Sequence, residues 1–271
     1  MAAAEIAQSG LSISQYWDAA TIPDYLTGPL ATFRDLNPDL QHRVFSAGEA
    51  ERFIADRFGR RQAEAFAACA VPSMQSDYLR YCTVLALGGV YADVDYRCKA
   101  PLRPLVERCD GGEIFLGPTV HDLNGRSTRR VWSGLFAFRR PSHPFLELAL
   151  EIATANVEAR IPERVWPVGD NVRAAVWLTV GPGIFSLMRF IHEWGSFDAF
   201  LAAIAGSPAE PFGELYCEVI DRHDRLAEAF EGVCVSPYED IWQWVEDVPP
   251  SELPYKSSEQ HWHNFKAAIF R

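Results

Sequence analysis

The sequence predicts an α/β protein in which a mixed sheet is flanked by helices. Short runs with strand character alternate along the chain with longer helical runs, which is the element order of α/β folds. The chain has 271 residues, 48% of them hydrophobic and 13% aromatic, so it can bury the core of one large globular domain. We therefore expect a single domain over residues 1–271, in which residues 1–10 are the candidates for disorder.

The N-terminal part predicts two strands separated by helices. The alternation of small polar and apolar residues in Leu11–Trp17 indicates the first strand, and His42–Phe45 indicates the second. A loop with Pro23 and Gly28 follows the first strand, because both residues interrupt regular structure. Helices are expected at residues 30–36, 49–58 and 61–70.

The next helix and strand form the element around which we expect the chain to be organised. Ser73 or Ser76 is a suitable N-cap for a largely apolar helix that runs to Leu87. Gly88 is then favourable for a left-handed C-cap. The strand Val90–Ala92 follows, and prolines force an extended chain beyond it.

The remaining chain predicts short strands between apolar helices. Strands are expected at residues 113–116, 132–138, 215–220 and 233–235, with a turn at Asn124-Gly125 between the first two. Helices are expected at residues 145–159, 172–180, 184–194 and 197–205, and residues 255–271 close the chain.

Composition excludes several classes of function. The formal net charge of −11 argues against nucleic acid as a partner. No run of about 18 apolar residues exists, and the N-terminus lacks the basic and apolar regions of a secretory signal. The six cysteines show no CxxC spacing, which makes a zinc knuckle unlikely to form. We expect buried, reduced thiols in a cytoplasmic protein without a membrane span, and the arginine-rich basic residues indicate a GC-rich, bacterial genome.

Asp93 and Asp95 are the strongest candidates for a metal site. They are two residues apart at a strand end, so their carboxylates project from the same side. Oxygen ligands of this kind suit Mn²⁺ or Mg²⁺, which in turn can bridge a diphosphate. An isolated D-x-D is a weak signal, since many are solvated turns; two preceding glycines and an apolar strand strengthen this one.

Asp77 and Arg80 lie three residues apart and therefore share one helix face. The alternative to a functional role is a surface ion pair, which contributes little to stability. The helix is otherwise apolar and leaves little room for a solvated face. A pair of this kind beside a metal site predicts contacts with sugar hydroxyls and a phosphate.

The run SDYLRYCTVLALGGVYADVDY, residues 76–96, resembles the sugar-binding region of the glycosyltransferase family that contains a DXD motif. That family's pattern is approximately S-D-x-x-R-Y followed by G-G-x-Y-x-D-x-D, and every letter is present. Members include Golgi initiating mannosyltransferases, bacterial capsule and lipopolysaccharide transferases and, distantly, clostridial toxin domains. Weaker similarities occur at residues 14–17, 36–39, 133–134 with 143–145, and 181–183.

This resemblance implies a GT-A-type domain, a Rossmann-like mixed sheet with a helical elaboration, that performs metal-dependent, retaining hexosyl transfer from a nucleotide sugar. It places Asp95 as the principal metal ligand and Asp93 as a residue that contacts the sugar and assists the metal. Arg80 joins these two as catalytic and, with Asp77, holds the donor sugar. The donor site is completed by Tyr91 and by Trp17, the latter near the nucleotide base.

Other assignments stay open at the level of sequence. The resemblance implies a further metal ligand near the C-terminus, for which His261 and His263 are candidates against the alternative of surface histidines. Asp170 and Asn171 are candidates for the donor site, and a helix N-cap is an equal alternative. Trp242 and Trp244 could stack on acceptor sugars or simply pack.

Three functions remain in competition. The first is transfer from a UDP- or GDP-sugar to a glycan, metabolite or protein acceptor. The second is a non-catalytic nucleotide-sugar-binding protein of the same fold. The third, a D-x-D phosphatase, is disfavoured because Tyr96 and Arg97 follow Asp95 where threonine is expected two residues on, and because the motif lies far from the N-terminus.

Overall fold

A computed structural model describes residues 11–123, 126–166, 172–223, 226–258, 261, 264 and 268–271. The predicted α/β class is confirmed, since helices flank a sheet that mixes parallel and antiparallel strands. The division of the chain into one domain stays a prediction. Within the described residues no single helix has the length and hydropathy to cross a membrane; one pair, Val172–Thr179 with Gly183–Trp194, bent by 62°, meets both limits only when joined.

The main sheet has six strands in the order β2-β1-β3-β6-β5-β7, and β4 pairs with β8 in a second, two-stranded sheet. The strands are β1 Ser12–Tyr16, β2 Gln41–Phe45, β3 Gly89–Ala92, β4 Tyr96–Cys98, β5 Gly112–Leu123, β6 Arg126–Phe138, β7 Val233–Ser236 and β8 Val245–Asp247. β1 is parallel to β2 and β3, whereas β6 is antiparallel to both of its neighbours, β3 and β5. The predicted site residues Asp93 and Asp95 follow the end of β3, which pairs with β6.

Helices cover the sheet and supply most of the core. They are α1 Asp24–Leu36, α2 Ala47–Phe58, α3 Arg60–Ala68, α4 Pro72–Leu87, α5 Arg103–Glu107, α6 Pro144–Ala159, α7 Ile161–Val165, α8 Val172–Thr179, α9 Gly183–Trp194, α10 Phe197–Ile204, α11 Glu210–His223 and α12 Leu226–Ala229. Short 3₁₀ helices occupy Tyr238–Gln243, Pro250–Glu252 and Pro254–Ser257. α4 is buried on nearly all sides, and its buried residues include the polar Gln75, Asp77, Arg80 and Thr83.

The joint between α4 and β3 depends on two glycines. α4 ends at Leu87, and the N–H of Gly88 donates to the carbonyl of Val84 at 2.9 Å. Gly88 and Gly89 both have positive φ, +67° and +94°, which side chains rarely tolerate. A Cβ on Gly89 would lie 2.0 Å from the backbone oxygen of Ser12, so β1 and β3 can be neighbours only because no side chain is present.

Several predicted boundaries are corrected by the structure. α4 begins at Pro72 with Val71 as N-cap, not Ser73 or Ser76, because proline suits the first helical turn. α1 begins at Asp24, within the predicted loop. The predicted turn at Asn124-Gly125 lies outside the described residues, and strands β5 and β6 on either side of it are far longer than expected.

The predicted strand at residues 215–220 is wrong, because these residues belong to helix α11. β-branched and aromatic residues suggested a strand there. The buried side chains are Phe212, Tyr216, Val219 and Ile220, whose spacing of three and four residues is that of a helix face. Packing of this face against the helical layer outweighs the local strand preference.

The cysteines divide into two groups. Cys109 and Cys234 form a disulfide across a sequence separation of 125, so the prediction of reduced thiols is wrong for this pair. The other four, Cys69, Cys82, Cys98 and Cys217, are free and buried as expected. Because disulfides persist mainly in oxidising compartments, the pair counts against the predicted cytoplasmic location, which stays a prediction.

Candidate functional site

A buried arginine joins the helix and the strand that the sequence singled out. Nη2 of Arg80, on α4, lies 2.6 Å from Oδ1 of Asp77 and 3.1 Å from Oδ1 of Asp93 at the end of β3. The side chains of Arg80 and Asp77 are 5% and 9% exposed, so the predicted helix pair is not a surface ion pair. One guanidinium thus holds two acids from elements that meet only in the folded chain.

The other contacts of this centre come from neighbouring strands and from α4 itself. Nη1 of Arg80 donates to the carbonyl oxygen of Ser133 at 2.6 Å and to its hydroxyl. The Arg80 guanidinium also lies 4.7 Å from the ring centre of Tyr91, whose hydroxyl donates to Oδ1 of Asp93 at 3.0 Å. The Ser76 and Tyr91 hydroxyls are 2.5 Å apart. These contacts leave the guanidinium and Oδ1 little freedom to move.

Burial and charge act against each other on the two acids. Desolvation raises the pKa of Asp77, while the Arg80 guanidinium opposes this rise and the Asp93 charge adds to it. Desolvation likewise raises the pKa of Asp93, with Arg80 opposing and Asp95 adding. The pKa of both acids is raised, because burial outweighs the attraction of the one arginine that they share. The centre therefore carries an excess of negative charge that an added cation would relieve.

Asp95 faces the C-terminal part of the chain. Its Oδ2 lies 2.8 Å from Nζ of Lys256, and both side chains are about one quarter exposed, at 24% and 27%. The backbone oxygen of Asp95 accepts the N–H of Val248 at 2.8 Å, next to the pairing of β4 with β8. Sequence reasoning missed Lys256, although it is one of only three lysines in a chain that otherwise uses arginine.

Aromatic rings border the same region. Trp17 lies just beyond β1, with the Tyr255 ring 5.3 Å away at 82° and the Tyr25 ring 6.4 Å away at 85°. Trp17 and both tyrosines pack around a small core that includes Val94, between the two acids of the motif. The Nε1 of Trp17 is buried and has no hydrogen-bond partner among the described residues. Trp17 therefore packs near the motif through Val94, and its role at the nucleotide base stays a prediction.

Two glycines lie close to the carboxylate oxygens that Arg80 does not bind. A Cβ on Gly134 would lie 2.8 Å from Oδ2 of Asp93, and one on Gly181 would lie 3.1 Å from Oδ2 of Asp77. Gly134 also accepts the backbone N–H of Asp93 at 2.8 Å. The oxygen of Asp93 that Arg80 does not bind thus faces a place where the chain has no side chain.

The first strand supports the motif from behind. Nε2 of Gln15 donates to the backbone oxygen of Asp93 at 3.2 Å, and its Oε1 lies 2.7 Å from Nε2 of His42 on β2. Burial lowers the pKa of His42 to about 4, so this ring is neutral near pH 7. A neutral imidazole N–H can then donate to the amide oxygen, which orients Gln15 toward Asp93.

The remaining predicted residues are not brought into this centre. Asp170, Asn171 and His263 lie outside the described residues. The His261 ring is 5.9 Å from that of Tyr255, near the motif, but within the described residues no group of three or more His, Cys, Asp or Glu side chains is arranged around a metal position. Trp242 and Trp244 are partly buried against the core that contains Ile241.

The donor atoms present suit a hard divalent cation. The carboxylates of Asp93 and Asp95 offer oxygen ligands, and Oδ2 of Asp93 is free of the Arg80 and Tyr91 contacts. Ions such as Mg²⁺ are commonly bound by one or two protein carboxylates, and their other ligands are water and substrate phosphates. The residues therefore fit the metal that the motif implies.

Part of this chain is similar to a region found in glycosyltransferases that carry a DXD motif. Residues 23–110 match the family model described as the glycosyltransferase sugar-binding region containing DXD motif. The resemblance stated from the sequence is thereby confirmed: the chain carries this region, which includes Asp77, Arg80, Asp93 and Asp95.

Curated relatives are similar over part of the chain. It is 27% identical over 188 residues to the initiation-specific alpha-1,6-mannosyltransferase of Schizosaccharomyces pombe, covering 59% of this chain and 44% of that protein. It is 26% identical over 174 residues to the protein of the same name from Candida albicans, covering 57% and 44%. The chain thus matches less than half the length of these relatives.

A solved structure is also similar. The PaToxG glycosyltransferase matches with a TM-score of 0.47 and 12% sequence identity, over 83% of this chain and 86% of that one.

Proposed function

We propose that this protein is a metal-dependent, retaining glycosyltransferase that moves a hexose from a nucleotide-diphosphate sugar to a hydroxyl group. One observation carries the proposal: Arg80 binds Asp77 and Asp93 together at the strand end that also bears Asp95. A buried cation between two acids, of which Asp93 is 28% exposed, is suited to hold a polyhydroxylated ring. The names of the two curated relatives favour mannose as the sugar.

Asp95 would be the principal ligand of Mn²⁺ or Mg²⁺, with Asp93 contributing through Oδ2. The bound cation supplies a positive charge that offsets the charge of the departing diphosphate. The protein's own part is to fix these two carboxylates in place. Tyr91 and Arg80 do so for Oδ1 of Asp93, and Gln15 does so for its backbone oxygen.

The donor would lie along the path from Trp17 to Asp77. Trp17, which is partly exposed, offers an aromatic ring for the nucleotide base of a UDP- or GDP-sugar. Asp77 and Arg80 would receive the sugar at the other end, where Gly181 leaves room beside the Asp77 carboxylate. Preorganised charges of this kind act without reorganisation during the reaction.

The transfer step balances without a protein nucleophile. The acceptor hydroxyl oxygen forms a bond to the anomeric carbon on the face from which the diphosphate leaves. The bond from that carbon to the phosphate oxygen breaks, its electron pair stays with the diphosphate, and the hydroxyl proton passes to the departing phosphate oxygen. Front-face attack is favoured over a covalent double displacement because Oδ1 of both Asp77 and Asp93 is held by Arg80, which lowers their nucleophilicity.

The decisive experiment measures donor binding and cleavage together. Thermal shifts with UDP-, GDP- and TDP-sugars, each with and without Mn²⁺, identify the donor, and release of free sugar measures its hydrolysis. We expect Asp95→Asn to abolish the metal-dependent shift and the hydrolysis, while Asp221→Asn, at an exposed position on α11, changes neither. Absence of any nucleotide-dependent shift in the wild-type protein would overturn the proposal.

A non-catalytic nucleotide-sugar-binding protein is the second candidate. The observation that favours it is the ion pair between Lys256 and Asp95, in which the protein itself supplies a cation to the motif. Nucleotide sugars would then stabilise the protein equally with and without Mn²⁺, and no sugar would be released.

A further inference from the structure

Strand β6 carries an exposed tryptophan directly beside the motif. Trp132 is 36% exposed, and it is the one aromatic residue among the exposed large hydrophobic residues that the structure describes. A single exposed apolar residue is ordinary. What distinguishes Trp132 is its position beside Asp93. A Cβ on Gly134 would lie 2.9 Å from Nε1 of Trp132 and 2.8 Å from Oδ2 of Asp93, so the indole and the carboxylate flank the same glycine.

The orientation of this indole is fixed by two contacts. Its Nε1 donates to the hydroxyl of Tyr96 at 2.8 Å, so the polar edge is satisfied within the protein. The Tyr238 ring meets it at 5.8 Å and 78°, and Trp242 in turn supports Tyr238 at 5.3 Å. A braced indole of this kind presents a rigid apolar surface at little entropic cost.

The irregular pairing of β5 with β6 explains why Trp132 stands here. The register shifts between Glu113 and Phe115, and Phe115 is the partner of Trp132. Irregularities of this type re-aim side chains next to active sites. Ser133 is thereby available to Arg80, while Gly134 and Trp132 face the opening beside Asp93.

Arg130 lies two residues before Trp132 on the same strand, next to helix α8. Its guanidinium is 4.5 Å from the ring centre of Trp177. No carboxylate partner for Arg130 is found in the described part of the chain, and its side chain offers five N–H donors. Residues two apart in a strand project from the same side, so Arg130 shares the face of β6 that carries Trp132.

We propose that Trp132 and Arg130 form the acceptor subsite and that the acceptor is a carbohydrate. The apolar face of one sugar ring would stack on Trp132, which places its hydroxyl groups beside Asp93 and hence beside the donor. Arg130 would donate hydrogen bonds to the hydroxyls of the next ring. This inference rests on the proposed glycosyl transfer and assigns its acceptor class.

The test separates donor chemistry from acceptor binding. Trp132→Ala, Trp132→Phe and Arg130→Gln are compared with the wild type, and Trp194→Ala on α9 is the matched control for loss of an indole. Donor hydrolysis without acceptor is measured first. We expect it to be unchanged in Trp194→Ala, and the acceptor KM of each variant is then compared with that variant's own rate of hydrolysis.

Transfer to an α-linked mannotriose is measured next. We expect the acceptor KM to rise at least about ten-fold in Trp132→Ala, since one such stacking contact is worth about a factor of ten. Trp132→Phe should fall between Trp132→Ala and the wild type, Arg130→Gln should show a smaller rise, and Trp194→Ala none. An unchanged KM in Trp132→Ala, or transfer to a protein or non-sugar metabolite that ignores both substitutions, overturns the proposal.

Binding of the mannotriose without donor, measured by calorimetry, keeps the two proposals distinguishable. If the wild type hydrolyses no donor but binds the trisaccharide, and Trp132→Ala binds it at least about ten-fold more weakly, the transferase proposal fails and the saccharide subsite stands. If wild type and Trp132→Ala bind it equally, or neither binds it, the subsite is refuted whatever the donor assay shows.

Discussion

Nζ of Lys256 lies 2.8 Å from Oδ2 of Asp95, so a C-terminal lysine occupies the side of the motif on which a divalent cation is expected. The two groups come from distant parts of the chain that are brought together by the pairing of β4 with β8. A tethered ammonium and a free metal ion cannot both take the same carboxylate oxygen at full strength. Lys256 is therefore expected to compete with the metal.

Removal of this competitor should strengthen metal binding. We expect Lys256→Gln to bind Mn²⁺ roughly two- to five-fold more tightly, because a partly exposed ion pair is worth up to about 1 kcal/mol. Calorimetric titration with Mn²⁺ in the absence of nucleotide measures this directly. Lys99→Gln, at an exposed lysine that donates to the Trp242 carbonyl, is the matched control and should bind as the wild type does. Weaker binding in Lys256→Gln would contradict the competition.

Loss of the Arg80 charge should destabilise the fold. Arg80→Met leaves Asp77 and Asp93 buried without their cation, which we expect to cost roughly 3 kcal/mol or more in the free energy of unfolding. Urea denaturation at pH 7 measures the cost. The double variant Asp77→Asn/Arg80→Met removes one of the stranded charges and should be more stable than Arg80→Met alone. If the double variant is the less stable of the two, the charge interpretation is wrong.

A methyl group on Gly134 should close the site without unfolding the protein. The Cβ in Gly134→Ala would lie 2.8 Å from Oδ2 of Asp93, so the carboxylate must move from its present position. We expect Mn²⁺ affinity to fall by at least about ten-fold, equivalent to about 1.4 kcal/mol, with only a small change in Tm. Gly28→Ala, where the added Cβ meets nothing within 4 Å, should leave metal affinity unchanged. Equal metal affinity in both alanine variants would refute the assignment of Oδ2 as a ligand.

The buried His42 predicts a specific acid sensitivity. Its pKa is about 4 in the folded protein and near 6.5 when unfolded, so the unfolded state binds the proton more readily. Its contribution is intact above pH 6.5 and is lost as the pH falls from 6.5 toward 4. We expect the wild type to lose about 2 kcal/mol more than His42→Gln between pH 7 and pH 5, as measured by urea denaturation. Parallel losses in the two proteins would contradict the buried, neutral imidazole.

The local sequence was sufficient to predict the helix, the turn and the strand of the motif, because caps, glycines and strand preference act over short distances. Asp77 and Arg80 could be paired from their spacing on α4, and Asp93 could be placed at a strand end. The contact of Arg80 with Ser133 could not be predicted, because the two residues are 53 apart and meet only where β6 lies beside β3. Lys256 and Trp132 were missed for the same reason: their role depends on tertiary contacts alone.

The error at α11 shows the opposite limit. Residues 215–220 have strand preferences, yet the helical spacing of the buried side chains decides the outcome once a helical layer is there to receive them. A longer window, extended back to Phe212, contains the helical period, so this signal was present in the sequence. The sequence held no such signal for the disulfide partner of Cys109, because the pairing depends on where β7 joins the edge of the sheet.

The bond between Cys109 and Cys234 divides the chain into a covalent ring and two open arms. The ring contains the β5–β6 hairpin with Trp132 and Arg130, together with helices α6 to α12, whereas Asp93, Asp95 and Lys256 lie on the arms. A protease that cuts the backbone once inside the ring releases no fragment until the disulfide is reduced, while one cut in either arm does. Electrophoresis of nicked protein with and without reductant would therefore report whether the ring or an arm was cleaved.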